Sequence, residues 1–103
     1  MSDWRDLGPA ADFAPGRVRA ARVAGVRLAV GRTERGFFAV DGLCPHAGGV
    51  LGEGILDGDL LVCPLHAYAF DVRSGACADD ESCRVRAYEL RVEAGVLQVR
   101  LGR

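Results

Sequence analysis

Two short stretches of this chain each pair a cysteine with a histidine at ligand spacing. The first is Cys44-Pro45-His46; after sixteen intervening residues comes Cys63-Pro64-Leu65-His66. Together they hold both histidines of the 103 residues. A cysteine thiolate is a soft, anionic ligand and a neutral imidazole is less electron-donating, so two matched Cys/His pairs in Gly/Pro-rich sequence read as a metal site. Zinc motifs usually pair like with like, as C-x2-4-C followed by H-x3-5-H. Here both pairs are mixed, and one is separated by a single residue. The arrangement fits two sulfide-bridged irons, one held by two thiolates and the other by two imidazoles. A structural zinc site with the same four residues is the competing reading.

In the iron reading, Cys44 and Cys63 hold the inner iron, while His46 and His66 hold the outer one with their free ring nitrogens near solvent. The added electron localises on the imidazole-bound iron, which is easier to reduce. Clusters ligated in this way, called Rieske centres, have potentials of roughly −150 to +300 mV, against about −400 mV for plant-type clusters. Pro45 and Pro64 follow the two cysteines and stiffen the loops by fixing φ. Gly42, Gly48 and Gly49 let backbone amides approach the sulfurs. No histidine is left for a two-histidine, one-carboxylate oxygenase iron. No nucleophile-elbow, phosphate-loop or dinucleotide motif appears. The expected role is electron transfer within an oxidoreductase system, with no bond chemistry performed by this chain alone. One cluster per chain is expected.

The bulk sequence agrees with a folded carrier. Half of the residues are hydrophobic, and residues 1–103 are expected to form a single domain. No segment approaches the apolar length needed to span a bilayer, and the start lacks the regions of a secretory signal. A cytoplasmic protein with no membrane association follows as the expectation. The basic residues are thirteen arginines and no lysine, read as compositional bias. Net charge is only −1, but it is uneven. From Met1 to Leu43 seven arginines face five acidic residues; from Cys44 to Cys83 one arginine faces seven; from Arg84 onward five arginines face two glutamates. Phosphates would be repelled by the acidic ligand-bearing stretch, so no nucleic acid partner is expected. A basic docking surface on a redox partner protein fits better.

Elsewhere the chain reads as short strands punctuated by Gly, Pro and Asp. Expected strands are Val18 to Val23, Val26 to Val30, Phe37 to Val40, Leu60 to Cys63, Ala69 to Val72, Val85 to Val92 and Val96 to Leu101. Glu93-Ala94-Gly95 reads as a hairpin turn, and Leu43 to Gly58 as a loop. The fold class is all-β, an antiparallel sandwich or barrel in which two loops form a cluster-binding subdomain. Trp4, Phe13, Phe37, Phe38 and Tyr88 are expected to fill the core or cover the base of the site. Cys77 and Cys83 read as small residues at strand ends, with no part in ligation.

These residues resemble the Rieske [2Fe-2S] family over nearly the whole chain, and within it the ferredoxin-like branch. The branch of respiratory bc complexes carries an extra cysteine in each ligand loop. Here those places hold Gly49 and Leu65, so that disulfide cannot form. High-potential members also place Ser and Tyr hydroxyls where this chain has Tyr68 and Phe70, which implies a potential in the lower part of the Rieske range. The run from Phe70 to Glu81 resembles F-D-L-x-T-G-x-C followed by acidic residues, a pattern of the small subunit of assimilatory NAD(P)H nitrite reductase. Tyr88 to Val92 and Gly95 to Arg100 are similar to that family too. The resemblance implies association with a large sirohaem and flavin subunit. Tails of this kind also occur in Rieske ferredoxins that carry electrons from a reductase to an aromatic-ring dioxygenase.

Overall fold

In the computed structural model, residues 3–45, 48–65 and 67–102 are described. Nine strands form three antiparallel sheets of three strands each. Strands β2 (Arg17–Val23), β3 (Val26–Thr33) and β4 (Gly36–Asp41) form a meander. Strands β5 (Ile55–Asp57), β6 (Leu60–Val62) and β7 (Ala69–Asp71) form a second. The third sheet joins β1 (Trp4–Pro9), β9 (Val96–Arg100) and β8 (Glu89–Glu93) in that spatial order, with the last strand between the other two. All pairings are antiparallel, as the all-β reading required.

The β2-β3-β4 sheet is covered on both faces. Leu28, Val30 and Ala39 point into one core with Phe13, Leu97 and Val99. Ala29, Phe38 and Val40 point into a second core with Leu51, Leu61, Phe70, Val72 and Val85. Successive side chains of a strand point to opposite faces, so β3 is apolar at every position from Leu28 to Val30 and does not alternate. That is the sequence signature of a strand with no solvent face. The second core also contains Cys44, Cys63 and Cys77. The β5-β6-β7 sheet thus packs against the β2-β3-β4 sheet through a core that includes these cysteines.

Tight turns set the registers. Val23 opposes Val26 across Ala24-Gly25, and Glu93 opposes Val96 across Ala94-Gly95. All four turn residues have positive φ, between 51° and 81°, as a type I′ hairpin requires. The expected turn at Glu93-Ala94-Gly95 is therefore present, with Glu93 as the last residue of β8.

Three expectations are corrected. Strand β1 was not foreseen, because Trp4–Pro9 neither alternates nor avoids Gly and Pro. It holds an edge position with a register shift between Asp6 and Gly8, where Pro is tolerated. The span from Leu43 to Gly58 is not all loop: Leu51–Glu53 form a 3-10 turn and Ile55–Asp57 form β5. The strand expected from Val85 to Val92 begins only at Glu89. Residues before it divide their bonds: the Val85 amide donates to the Gly75 carbonyl, and the Tyr88 amide to that of Ala39. An extended segment that changes partner midway cannot join one ladder. Among the aromatic residues, Phe13 and Phe38 are core residues. Phe37 and Tyr88 pack against the first core. Trp4 is only half-buried at the edge, with the Arg91 guanidinium 4.4 Å from its ring centroid.

Candidate metal centre

Cys44 and Cys63 come together as the sequence required. They are 2 % and 1 % exposed and lie in the same core. Each cysteine opens a loop closed in the same way. The Cys44 amide donates to the Gly49 carbonyl at 2.9 Å, and the Cys63 amide to the Tyr68 carbonyl at 2.7 Å, five residues on in both cases. The fourth residue after each cysteine has left-handed backbone: Gly48 at φ 72° and Ala67 at φ 58°. The two loops are therefore approximate repeats of one turn, although only one uses glycine where an L side chain is disfavoured. His46 and His66 fall within these closed loops by sequence, and both lie outside the described residues.

The surroundings of the sulfurs fit a [2Fe-2S] group. A Cβ added at Gly49 would lie 2.8 Å from the Cys63 sulfur, so the bare glycine leaves room that any other residue would occupy. Burial pushes the Cys63 thiol above its ordinary range; the Leu65 amide pulls it down and the Cys44 sulfur pushes it up again. A buried, crowded thiol of this kind becomes a thiolate when a cation compensates its charge, while a backbone amide aimed at it suits a ligand sulfur. Leu43 and Leu65, beside the ligand loops, are 41 % and 49 % exposed. They leave apolar surface exposed at the two loops.

At the ends of β4 and β7 away from the two loops, Arg73 has a side chain only 29 % exposed. It donates to the carbonyls of Phe37 and Gly36 and to the Thr33 hydroxyl, tying the end of β7 to the β3–β4 turn. Asp59, in the β5–β6 turn, pairs with Arg35 at 2.9 Å and lies 3.7 Å from Arg73. Nothing in the spacing of one arginine among thirteen marks this clamp; the only local signal is its place beside the Asp71–Gly75 turn. Burial alone would raise the Asp59 carboxyl, but the Thr33 hydroxyl and the two arginines together hold it below the ordinary carboxylate range. A carboxylate with a depressed folded-state pKa stabilises the fold above its unfolded value and loses that contribution as pH falls through the folded one. Melting temperature should therefore drop in acid below the ordinary carboxylate range, and Asp59→Asn should flatten that part of the profile. An unchanged profile in the variant would remove Asp59 from the clamp.

The Phe70 to Cys77 run is a turn built for this junction. Phe70 is fully buried. The Asp71 carboxylate accepts from the amides of Arg73 and Ser74, and the Gly75 amide donates to the Asp71 carbonyl at 2.7 Å. Cys77 and Cys83 lie apart from the ligand loops but pack against the same core.

Two matched loops converging on paired buried cysteines, carried by a small antiparallel sheet on an all-β base, define a metal-binding electron-transfer module. Residues 3–89 match the Rieske [2Fe-2S] domain model, and this chain belongs to that family; the cofactor the family is built around is the Rieske [2Fe-2S] cluster. Ferredoxin CarAc of Metapseudomonas resinovorans is 37 % identical over 99 residues, covering 93 % of this chain and 92 % of that protein. The ferredoxin subunit of anthranilate 1,2-dioxygenase from Burkholderia cepacia is 36 % identical over 105 residues, covering 99 % and 95 %. Among solved structures, a chain described as an NADH-dependent nitrite reductase small subunit from Mycobacterium tuberculosis superposes with a TM-score of 0.86 at 28 % identity, covering 93 % and 92 %. Among the described residues, no helix is long and apolar enough to cross a membrane.

Proposed function

We propose that this chain carries single electrons to a larger oxidoreductase. In this reading Cys44 and Cys63 hold one iron of the cluster, and His46 and His66 hold the other. The observation that carries the assignment is the pair of identically closed loops that bring the two buried sulfurs together. When bound, the cluster supplies a reversible one-electron couple. The protein's own part is to bury the sulfurs, aim the Leu65 amide at Cys63 and present the exposed Leu43 and Leu65 to a partner. Residues 1–103 act as one Rieske domain, supported by the pairing of the first strand with the last. The working compartment is the cytoplasm, where cysteines stay reduced and available to metal.

The partner is best read as the oxygenase of an aromatic-ring-hydroxylating system, served by a flavin reductase. Support comes from the ferredoxin components at 36–37 % identity over almost their whole length. The second reading is the small subunit of an NAD(P)H-dependent nitrite reductase, bound to a large sirohaem and flavin subunit. It is supported by the 28 % identical structure and by the Phe70 to Glu81 run. The experiment is a pull-down with the cluster-loaded chain at rising salt. An association lost at moderate ionic strength marks the shuttle; stable co-purification of a large subunit marks the second reading. Redox titration of the same sample should give a potential below about +200 mV, because Phe70 supplies no hydroxyl beside the second loop. A higher value would overturn that reading of Phe70, and a colourless zinc protein would overturn the cluster itself.

A further inference from the structure

Cys77 and Cys83, which take no part in ligation, face each other. The segments carrying them run antiparallel through a bridge between Ala76 and Arg84, so Cys77 and Cys83 are the next opposed pair. The Cys77 amide donates to the Cys83 carbonyl at 3.3 Å. Residues opposed in this way have Cα atoms about 5.5 Å apart, within the span of roughly 4.4–6.8 Å that a disulfide bridges. Their side chains share a side, as opposed residues of an antiparallel pair do, and both sit against the core that holds Cys44 and Cys63. All four cysteines are free thiols. Cys77 is buried and Cys83 is half-buried, so an oxidant can reach the pair from the Cys83 side.

We propose that Cys77 and Cys83 form a second, thiol-based redox centre, which closes to a disulfide when the protein meets a small-molecule disulfide. The exchange balances without another reagent. The Cys83 sulfur attacks the oxidant, one small thiol leaves, and a mixed disulfide forms; the Cys77 sulfur then displaces the second thiol. One protein S–S bond is made and one small-molecule S–S bond is broken. The two electrons and the two thiol protons end on the released thiols.

The position of the pair gives the switch something to act on. The Ala78 amide donates to the Ala69 carbonyl at 2.8 Å, and the Ala69 amide to the Asp79 carboxylate at 2.9 Å. The loop between the two cysteines is thus sewn to the start of β7, directly after the second ligand loop. Closing the disulfide ties the base of that loop.

The test uses the cluster-loaded full chain incubated with excess oxidised glutathione, then alkylated and digested with trypsin. Cleavage after Arg73 and Arg84 releases Ser74–Arg84, which carries Cys77 and Cys83 alone; Cys44 and Cys63 both lie in Gly36–Arg73. The expected result is a Ser74–Arg84 peptide lighter by two hydrogens and closed to alkylation in most of the sample. Dithiothreitol should reverse it, and the visible absorbance of the cluster should persist. Cys83→Ser should abolish the mass loss and leave Cys77 alkylated or glutathionylated. A wild-type peptide in which both cysteines take the alkylating reagent, or each carry a glutathione, would overturn the proposal. Iron content separates this outcome from failure of the ligand assignment: Cys77→Ala and Cys83→Ala should each keep a full cluster, and loss of iron in either would refute ligation by the other four residues.

Discussion

Cys63→Ser should yield a protein with almost no iron or acid-labile sulfide and no visible absorbance, the largest change expected of any single substitution. The reason is both chemical and geometric. A serine hydroxyl is hard and rarely ionised, so it replaces a soft anionic ligand with a neutral one. The site offers little room for compensation, because Cys63 is 1 % exposed and hemmed in by Gly49, Leu65 and Cys44. Its backbone is fixed by the bond from its amide to Tyr68. The other buried thiol, Cys77, belongs to a different segment, its amide bonded to the Cys83 carbonyl and its residue opposed to Phe70. Iron and sulfide analysis of the purified variant, beside Cys77→Ala, checks the claim. A fully loaded Cys63→Ser protein would show that the sulfur at this position is not a ligand.

Gly75→Ala should destabilise the fold more than any other single-atom addition outside the ligand loops. Gly75 has φ 81°, where an L side chain costs roughly 1–2 kcal/mol. An added Cβ would also lie 2.0 Å from the Val85 carbonyl oxygen, a backbone atom. That carbonyl cannot move freely, because the Val85 amide donates to Gly75 itself and Val85 fills the core beneath the ligand sheet. Relieving such an overlap costs about 1–3 kcal/mol more. A combined loss near 3 kcal/mol corresponds to a fall in melting temperature of roughly 12–24 °C for a domain of this size. Thermal unfolding followed by circular dichroism is the measurement; a melting temperature within a few degrees of wild type would refute the close approach of Gly75 to Val85.

Much of the protein was legible in its sequence. Every expected strand has a counterpart, because the short apolar runs between Gly, Pro and Asp turns are local features. The Ala94-Gly95 hairpin was readable for the same reason. The meeting of Cys44 and Cys63 in one core was foreseeable because their matched spacing to histidine restricts residue type more tightly than packing does. Elements whose stability is supplied by distant partners were not readable. β1 exists because β9 offers an edge, and β5 because β6 folds back on it. The segment from Val85 to Tyr88 looks like a strand but is shared between Gly75 and Ala39. Arg73 gave no sequence signal beyond its place in the Asp71–Gly75 turn, since a clamp onto Thr33, Gly36 and Phe37 depends on contacts nearly forty positions away.

Residue type and spacing alone marked a metal site: two cysteines and two histidines paired in separate stretches suit few cofactors, and local turn chemistry admits few shapes for those loops. Folding in three dimensions decided the rest. It made the two loops near copies, set Cys44 against Cys63, and left Cys77 facing Cys83 as an unligated couple. Which thiols meet depends on how sheets stack, and stacking is a property of whole buried faces that no short stretch of chain encodes.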